Sequence, residues 1–235
     1  MVNKIEMEKT NKNYRWSLRK RIIHHLMLIS PFLNDMGLFY GKMGISIAFY
    51  LLGKKEQNNV YIEFGDDLLE QIFKTLSQNS SLDFDSGLYG IGWGIEYLIQ
   101  NQFVEGQSLD VCKQIDQRIV QLDPRRIDNS TLEKGIYGLL HYVLIHLKGC
   151  HSQKSNCPFD TMYLNDLYVK IKLLKTGNKN LSYLQSLYVN YIEKNISPNY
   201  STDVTSFKDK KLCLKSDQLL SYPLGIKSGL AGTLL

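Results

Sequence analysis

Cysteine is scarce in this chain. Cys112, Cys150, Cys157 and Cys213 are the only four in 235 residues, too few and too scattered for a disulfide framework, and a reducing cytoplasm is the expected compartment. Strand signals are also thin: no Asn-Gly or Asp-Gly turn joins alternating runs, so hairpins lack their local cue. The apolar stretch from Ile22 to Leu33 is only 12 residues long and holds two histidines and a proline. That excludes it as a membrane span. It also starts too far in, and lacks the small-residue cleavage site, for a signal peptide. Net charge is a mild +5, which argues for neither nucleic acid nor anionic lipid as a partner. The densest basic cluster, Arg15, Arg19, Lys20 and Arg21, reads as the solvated face of a first helix. With 43% hydrophobic and 22% charged residues the chain builds a core and is not disordered.

What the chain does have is patterned glycine. "GLFYGKMGISIAFYLLG" (37–53), "GLYGIGWGIEYLIQ" (87–100), "EKGIYGLLHYVLIHLKG" (133–149) and "GIKSGLAGTLL" (225–235) each carry a glycine pair three or four apart, followed by apolar residues. The pairs read as Gly41 and Gly44, Gly90 and Gly94, Gly135 and Gly138, Gly229 and Gly232. Successive second glycines stand 50, 44 and 94 residues apart, the last interval being about twice the others. A period of about 47 residues is that of helix-pair repeats. Glycine costs about 1 kcal/mol against alanine in a helix interior, so its recurrence has a geometric cause: a sharp, close entry into a buried helix that needs positive φ or the absence of a Cβ.

The segments between differ in character. Residues 60–78, 109–122, 162–175 and 181–195 have apolar residues at spacings of three and four, the mark of one-faced helices. The stretches after the glycines, "ISIAFYLL" and "LLHYVLIHL", are apolar nearly all round and belong inside. The chain is therefore predicted to be a single all-α domain over 1–235, with an inner ring of glycine-started helices and an outer ring of amphipathic ones. Residues 1–14 are expected to be flexible, 197–222 a polar loop, and the final repeat cut short at Leu235.

The motifs "GKMGISIAF", "SGLYGIGWGIEYL", "LEKGIYGLLHYVL" and "GIKSGLAGTLL" resemble those of the lanthionine synthetase C-like (LanC-like) family. The resemblance runs from about Ser17 to Leu235. It implies an α/α toroid and an association with peptide modification in lanthipeptide pathways. The family's enzymes are zinc-dependent cyclases that add cysteine thiols to dehydrated Ser or Thr. It also implies two Cys and one His as zinc ligands, in a Trp-Cys-x-Gly type motif and a Cys-His-Gly motif just before glycine pairs. Zinc there lowers the thiol pKa so that a thiolate forms. This chain departs from that pattern. Tyr40, Tyr89, Lys134 and Ser228 stand before its glycine pairs, Trp93 is followed by Gly94, and there is no Cys-His-Gly.

The expectation is a relative without zinc chemistry, a pseudoenzyme that binds a peptide or a partner modification enzyme on the glycine-loop rim. Its rim candidates are Tyr40, Lys42, Asp85, Tyr89, Trp93, Glu133 and Lys134, with Asp83 and Tyr137 nearby. Asp83 and Asp85 also suit turn capping, and Glu133 with Lys134 also suits a local pair. No catalytic residue and no cofactor is assigned. The alternative is an active cyclase with zinc on Cys150, His151 and Cys157. That cluster follows Gly149, which reads as a helix C-cap, and so falls on the opposite rim, where a loop with incidental cysteines is expected. His141 and His146, five apart, point to different faces. Helical toroids that act on sugars or prenyl chains need paired carboxylates or Asp-rich motifs, which "DFDSG" does not supply. The short last repeat is expected to be completed by a partner, as in an oligomer, to fray in its last turn, or to belong to a longer chain.

Overall fold

The computed structural model describes residues 18–76, 80–209, 214 and 216–235, and every regular element among them is helical. In chain order these are α1 (18–29), α2 (Lys42–Glu56), α3 (Asn59–Thr75), α4 (Leu88–Gln100), α5 (Ser108–Val111), α6 (Lys113–Ile119), α7 (Ile136–Ser152), α8 (Thr161–Leu173) and α9 (Lys179–Lys194). The amphipathic segments form the outer layer and the glycine-started ones the inner layer. Helix α3 backs α2; α5 and α6 lie against α4, α5 also against α7; α9 covers α7 and pairs with α8. The inner helices are buried almost all round: every residue of α4 from Leu88 to Ile99 is buried.

The two layers begin their helices differently. Outer helices use side-chain caps. Asn58 accepts from Val60 N, Asp160 from Tyr163 N, and Asn178 from Asn180 N and Leu181 N. Inner helices begin at Gly41, Gly87 and Gly135 with no side-chain cap. Their first N–H groups are taken by the preceding loop instead: Lys42 N by Asp35 O at 2.9 Å, Leu88 N by Ser81 O at 2.8 Å and Ile136 N by Asn129 O at 2.9 Å. The C-terminal motif repeats the device, Leu230 N donating to Pro223 O at 2.8 Å.

This winding explains the glycines and corrects their register. A Cβ on Gly41, Gly87, Gly135 or Gly229 would strike Asp35 O, Ser81 O, Asn129 O or Pro223 O, and one on Gly44, Gly90, Gly138 or Gly232 would strike Leu38 O, Phe84 O, Leu132 O or Ile226 O. The second pair is thus Gly87 and Gly90, not Gly90 and Gly94. Gly94 lies a turn further in, against Met43. Second glycines then fall 46, 48 and 94 residues apart, a tighter period than the expected one. The entries do not use positive φ: Gly41, Gly87 and Gly135 have φ of −105°, −120° and −134°. The missing Cβ is what the close loop requires.

Three further expectations are revised. Gly149 is not a C-cap: α7 runs on to Ser152, and the bare glycine instead gives room to Glu96 of α4, which a Cβ would strike. The segment 109–122 is broken at Cys112 into α5 and α6. The 197–222 loop contains short 3-10 turns at Val204–Phe207 and Ser216–Ser221. Residues 1–14, expected to be flexible, and Cys213 lie outside the described residues. The last motif forms a 3-10 turn, Ala231–Thr233, packed on α2.

Candidate functional site

The four loops that precede the inner-helix glycines are laced to one another. Lys227 N donates to Phe39 O at 3.1 Å, Phe39 N to Asp85 O at 2.9 Å, and Phe84 N to Glu133 O at 2.7 Å. Phe39, Asp85, Glu133 and Lys227 all stand two residues before a motif's first glycine. The third and fourth loops are joined by an ion pair between the Lys227 ammonium and the Glu133 carboxylate. This bond holds the Glu133 carboxyl below the usual carboxylate range. Three of the four junctions between loops are made by backbone, and the ring is closed by charge at the fourth. Lys227 Nζ also stands 4.7 Å from the centre of the Phe39 ring.

The middle of this face is aromatic. Phe207, from the segment after α9, meets Phe39, Phe84, Trp93 and His141 with ring centres 4.9–5.6 Å apart. Tyr200, from the same segment, takes the Trp93 indole N–H on its hydroxyl at 2.8 Å and lies 2.5 Å from His141 Nδ1. Segment 200–209 therefore stands between α7 and the C-terminal motif, where the doubled glycine interval leaves no inner helix. Asp209 N donates to Lys227 O on its far side.

The rim candidates are spread over different environments. Tyr40 and Lys134 are exposed, and Glu133 is half-buried in its pair with Lys227 rather than with Lys134. Asp85 is buried and accepts from the Ser86 hydroxyl at 2.9 Å. Lys42 is buried away from the rim, its ammonium bound to Pro31 O at 3.0 Å and Gln71 Oε1 at 2.6 Å. Tyr89 is buried with a hydroxyl that has no protein partner, and Trp93 is fully buried. Tyr137 is buried against His141. In the corrected register the residues before the glycines are Tyr40, Ser86, Lys134 and Ser228. This donor set does not fit the zinc that the resemblance implies at this face.

A second assembly lies toward the other end of the inner helices, and the sequence pattern did not point to it. His146 of α7 is fully buried between two carboxylates: Nδ1 is 2.6 Å from Glu96 Oε1 of α4, and Nε2 is 2.9 Å from Asp116 Oδ2 of α6. The other carboxylate oxygens are used too. Glu96 Oε2 accepts from Gln100 at 2.8 Å and Ser108 at 3.1 Å, and Asp116 Oδ1 accepts from the Tyr142 hydroxyl at 2.6 Å. Burial opposes a charge on His146, but hydrogen bonds to Asp116, Cys150 and Glu96 overbalance it and raise its pKa well above 6.5. It is an imidazolium donating from both nitrogens. The thiols of Cys112 and Cys150 lie 3.9 Å from Glu96 Oε1 and 4.0 Å from His146 Nδ1. Burial, with Glu96 and Asp116 adding negative charge, drives the Cys112 thiol pKa far up, so it stays protonated.

Glu96, Cys112 and His146 form a group that could hold a metal ion, their donor atoms lying within 4.8 Å of one another. It is the one such group among the described residues. Cys150, His151 and Cys157 do not converge. Cys150 turns inward to His146, while His151 and Cys157 are exposed. One signal was available in the sequence. Glu96 and His146 sit inside otherwise apolar helices, and a charged group there needs a partner.

No helix among the described residues is long and apolar enough to cross a membrane. No curated protein and no solved structure matches the chain. The family model of the lanthionine synthetase C-like protein matches residues 32–156, more than half of the sequence and the span from the first glycine motif through α7. With the glycine-wound inner helices and the all-α layering, that match establishes that the chain belongs to the lanthionine synthetase C-like family.

Proposed function

We propose that this LanC-like protein binds a peptide, or a partner enzyme of peptide modification, on the face formed by the four glycine-motif loops, and performs no zinc-dependent cyclisation there. One observation carries the reading: Tyr40, Ser86, Lys134 and Ser228, the residues that enter the glycine turns, contain no thiolate or imidazole donor. Without such donors the glycine turns have no zinc-bound route to a thiolate at neutral pH. It does offer exposed Tyr40 and Lys134 around a rigid, cross-bonded ring, a combination of area and hydrogen bonding that suits peptide contact.

The test is a synthetic peptide carrying one cysteine and one dehydroalanine, added to the full chain with zinc present. Binding seen by fluorescence anisotropy, with the peptide thiol still titratable after hours, supports the reading. Consumption of the thiol with thioether formation refutes it.

A second reading rests on the buried donor group. Glu96, Cys112 and His146 offer carboxylate, sulfur and nitrogen to a borderline ion such as zinc. Binding would have to open the direct His146–Glu96 contact and expel protons from the thiol and the imidazolium. Zinc stoichiometry by elemental mass spectrometry decides it. Near one ion per chain, lost in Cys112→Ser, establishes a metal at that end. Near zero leaves an ionic cluster.

A further inference from the structure

We infer that the cleft beside α7 is a binding site for an uncharged peptide segment, with the His141 Nε2–H donating to a backbone carbonyl of the ligand. The inference rests on the peptide-binding reading and gives it a location and a recognised group.

The cleft has a volume of about 750 Å³ and lies between loop 130–133, α7, the start of α9 and segment 200–207. That is within the range of small-ligand sites, about 300–1,000 Å³. His141 is part of its lining and is 9% exposed.

The hydrogen bonds around His141 fix its tautomer. The Trp93 indole can only donate, so the Tyr200 hydroxyl accepts from it at 2.8 Å. The hydroxyl's own proton then points to His141 Nδ1, 2.5 Å away. Burial holds the ring neutral, its pKa pushed down to about 3. With Nδ1 accepting, the single ring proton is on Nε2. That atom is sealed from solvent and has no partner. A buried N–H without an acceptor is a costly arrangement, relieved by a ligand oxygen that enters the cleft and moves a covering ring. Phe207, which lines the cleft with its ring centre 5.3 Å from that of His141, is the ring such a ligand would displace.

The surroundings select the class of acceptor. Two acids line the cleft, Asp203 and Glu133, the latter already paired with Lys227, and none of the described lining residues is cationic. A carboxylate or phosphate would enter against negative charge. A neutral amide carbonyl would not. Leu132, Tyr137 and Leu184 supply apolar wall, while Ser130, Ser201 and Asn178 supply donors for further backbone contacts.

The experiment uses the full chain with ¹⁵N-labelled histidine and a pool of acetylated, amidated pentapeptides randomised over uncharged residues. Before addition, the His141 ring is expected to show one protonated nitrogen, Nε2, from pH 6 to 8. On addition, the Nε2–H resonance moves downfield, and His141→Phe weakens binding at least tenfold. Tyr200→Phe keeps the imidazole but releases the tautomer, and is expected to weaken binding about threefold. It serves as the check if His141→Phe does not fold. The same pool ending in a free carboxylate binds more weakly. Three results overturn the inference: binding with no change at Nε2–H, binding unaltered in both variants, or tighter binding of the free-carboxylate pool. In each of these, peptide binding itself stands. No binding of any pool to the wild-type chain removes this inference together with the peptide arm of the proposed function, leaving the partner enzyme.

Discussion

The two ends of the inner helices are held together by opposite means. At the glycine-loop face, neighbouring loops bond backbone to backbone, and an ionic link between them, Glu133 to Lys227, is partly exposed. Toward the other end, no backbone-to-backbone bond is seen among the described residues of α4, α6 and α7; they are joined through side chains, around a fully buried imidazolium between two carboxylates. Backbone lacing tolerates most side chains but forbids a Cβ at a few positions. The ionic cluster forbids the loss of one charge, and it asks for a bare glycine only where helices close on its side chains, at Gly149 against Glu96 and at Gly92 against Tyr142. The first arrangement leaves a rim free to vary for recognition; the second fixes how the helices stand relative to one another.

Substitutions test this contrast most sharply at the buried end. His146→Leu leaves Glu96 and Asp116 facing each other without a cation, and is expected to cost about 3–5 kcal/mol of stability in urea unfolding. Next is Gly90→Ala, whose new methyl meets the Phe84 carbonyl, a backbone atom that cannot step aside. A loss of about 3 kcal/mol is expected by the same measurement. A loss below about 1 kcal/mol would mean that the loop is looser than its bonding implies.

Acidity distinguishes the two ends by sign. The folded pKa of His146 is raised above its unfolded value of 6.5. Its contribution is therefore complete below that value and is lost as pH rises through the folded pKa. Thermal scans from pH 7 into the alkaline range are expected to show a falling Tm. Glu133 behaves oppositely: its folded pKa lies below 4.5, so its contribution is present above that value and is lost as pH falls. Because this pair is partly exposed, Lys227→Ala is expected to cost about 1 kcal/mol or less at neutral pH, and less again in high salt. The smallest effect belongs to Gly177→Ala, which meets nothing within 4 Å and is expected to change stability by less than about 0.5 kcal/mol.

Much of the layering was legible in the sequence because helical periodicity and repeated glycine are local signals. The outer helices fell within a few residues of their expected bounds, 60–78 against Asn59–Thr75 and 162–175 against Thr161–Leu173. The register of the second motif was not legible. Gly87, Gly90, Gly92 and Gly94 crowd one stretch, and only the loop carbonyls that pack on Gly87 and Gly90 distinguish the pair. The rim was half legible. Position alone put Lys42 on it, whereas its ammonium reaches Pro31 and Gln71 on the outer side. Glu133 found its partner 94 residues away in Lys227, not in neighbouring Lys134. The buried cluster was beyond reach of any motif, because Glu96 in α4, Cys112 and Asp116 at the start of α6 and His146 in α7 come from three separate parts of the chain with no common spacing.

The lacing of the loops also sets an order of events as the chain folds. The bonds from Phe39 to Asp85 and from Phe84 to Glu133 each close intervals of about one repeat. The bond from Lys227 to Phe39 joins residues 188 positions apart in the chain. Closing a longer interval costs more entropy, though only logarithmically, and non-local pairings slow folding. The first three repeats can therefore assemble by successive local steps. The C-terminal motif packs on α2, so completion of the ring is expected to be the late step of folding, seen as a slower refolding phase that Lys227→Ala alters.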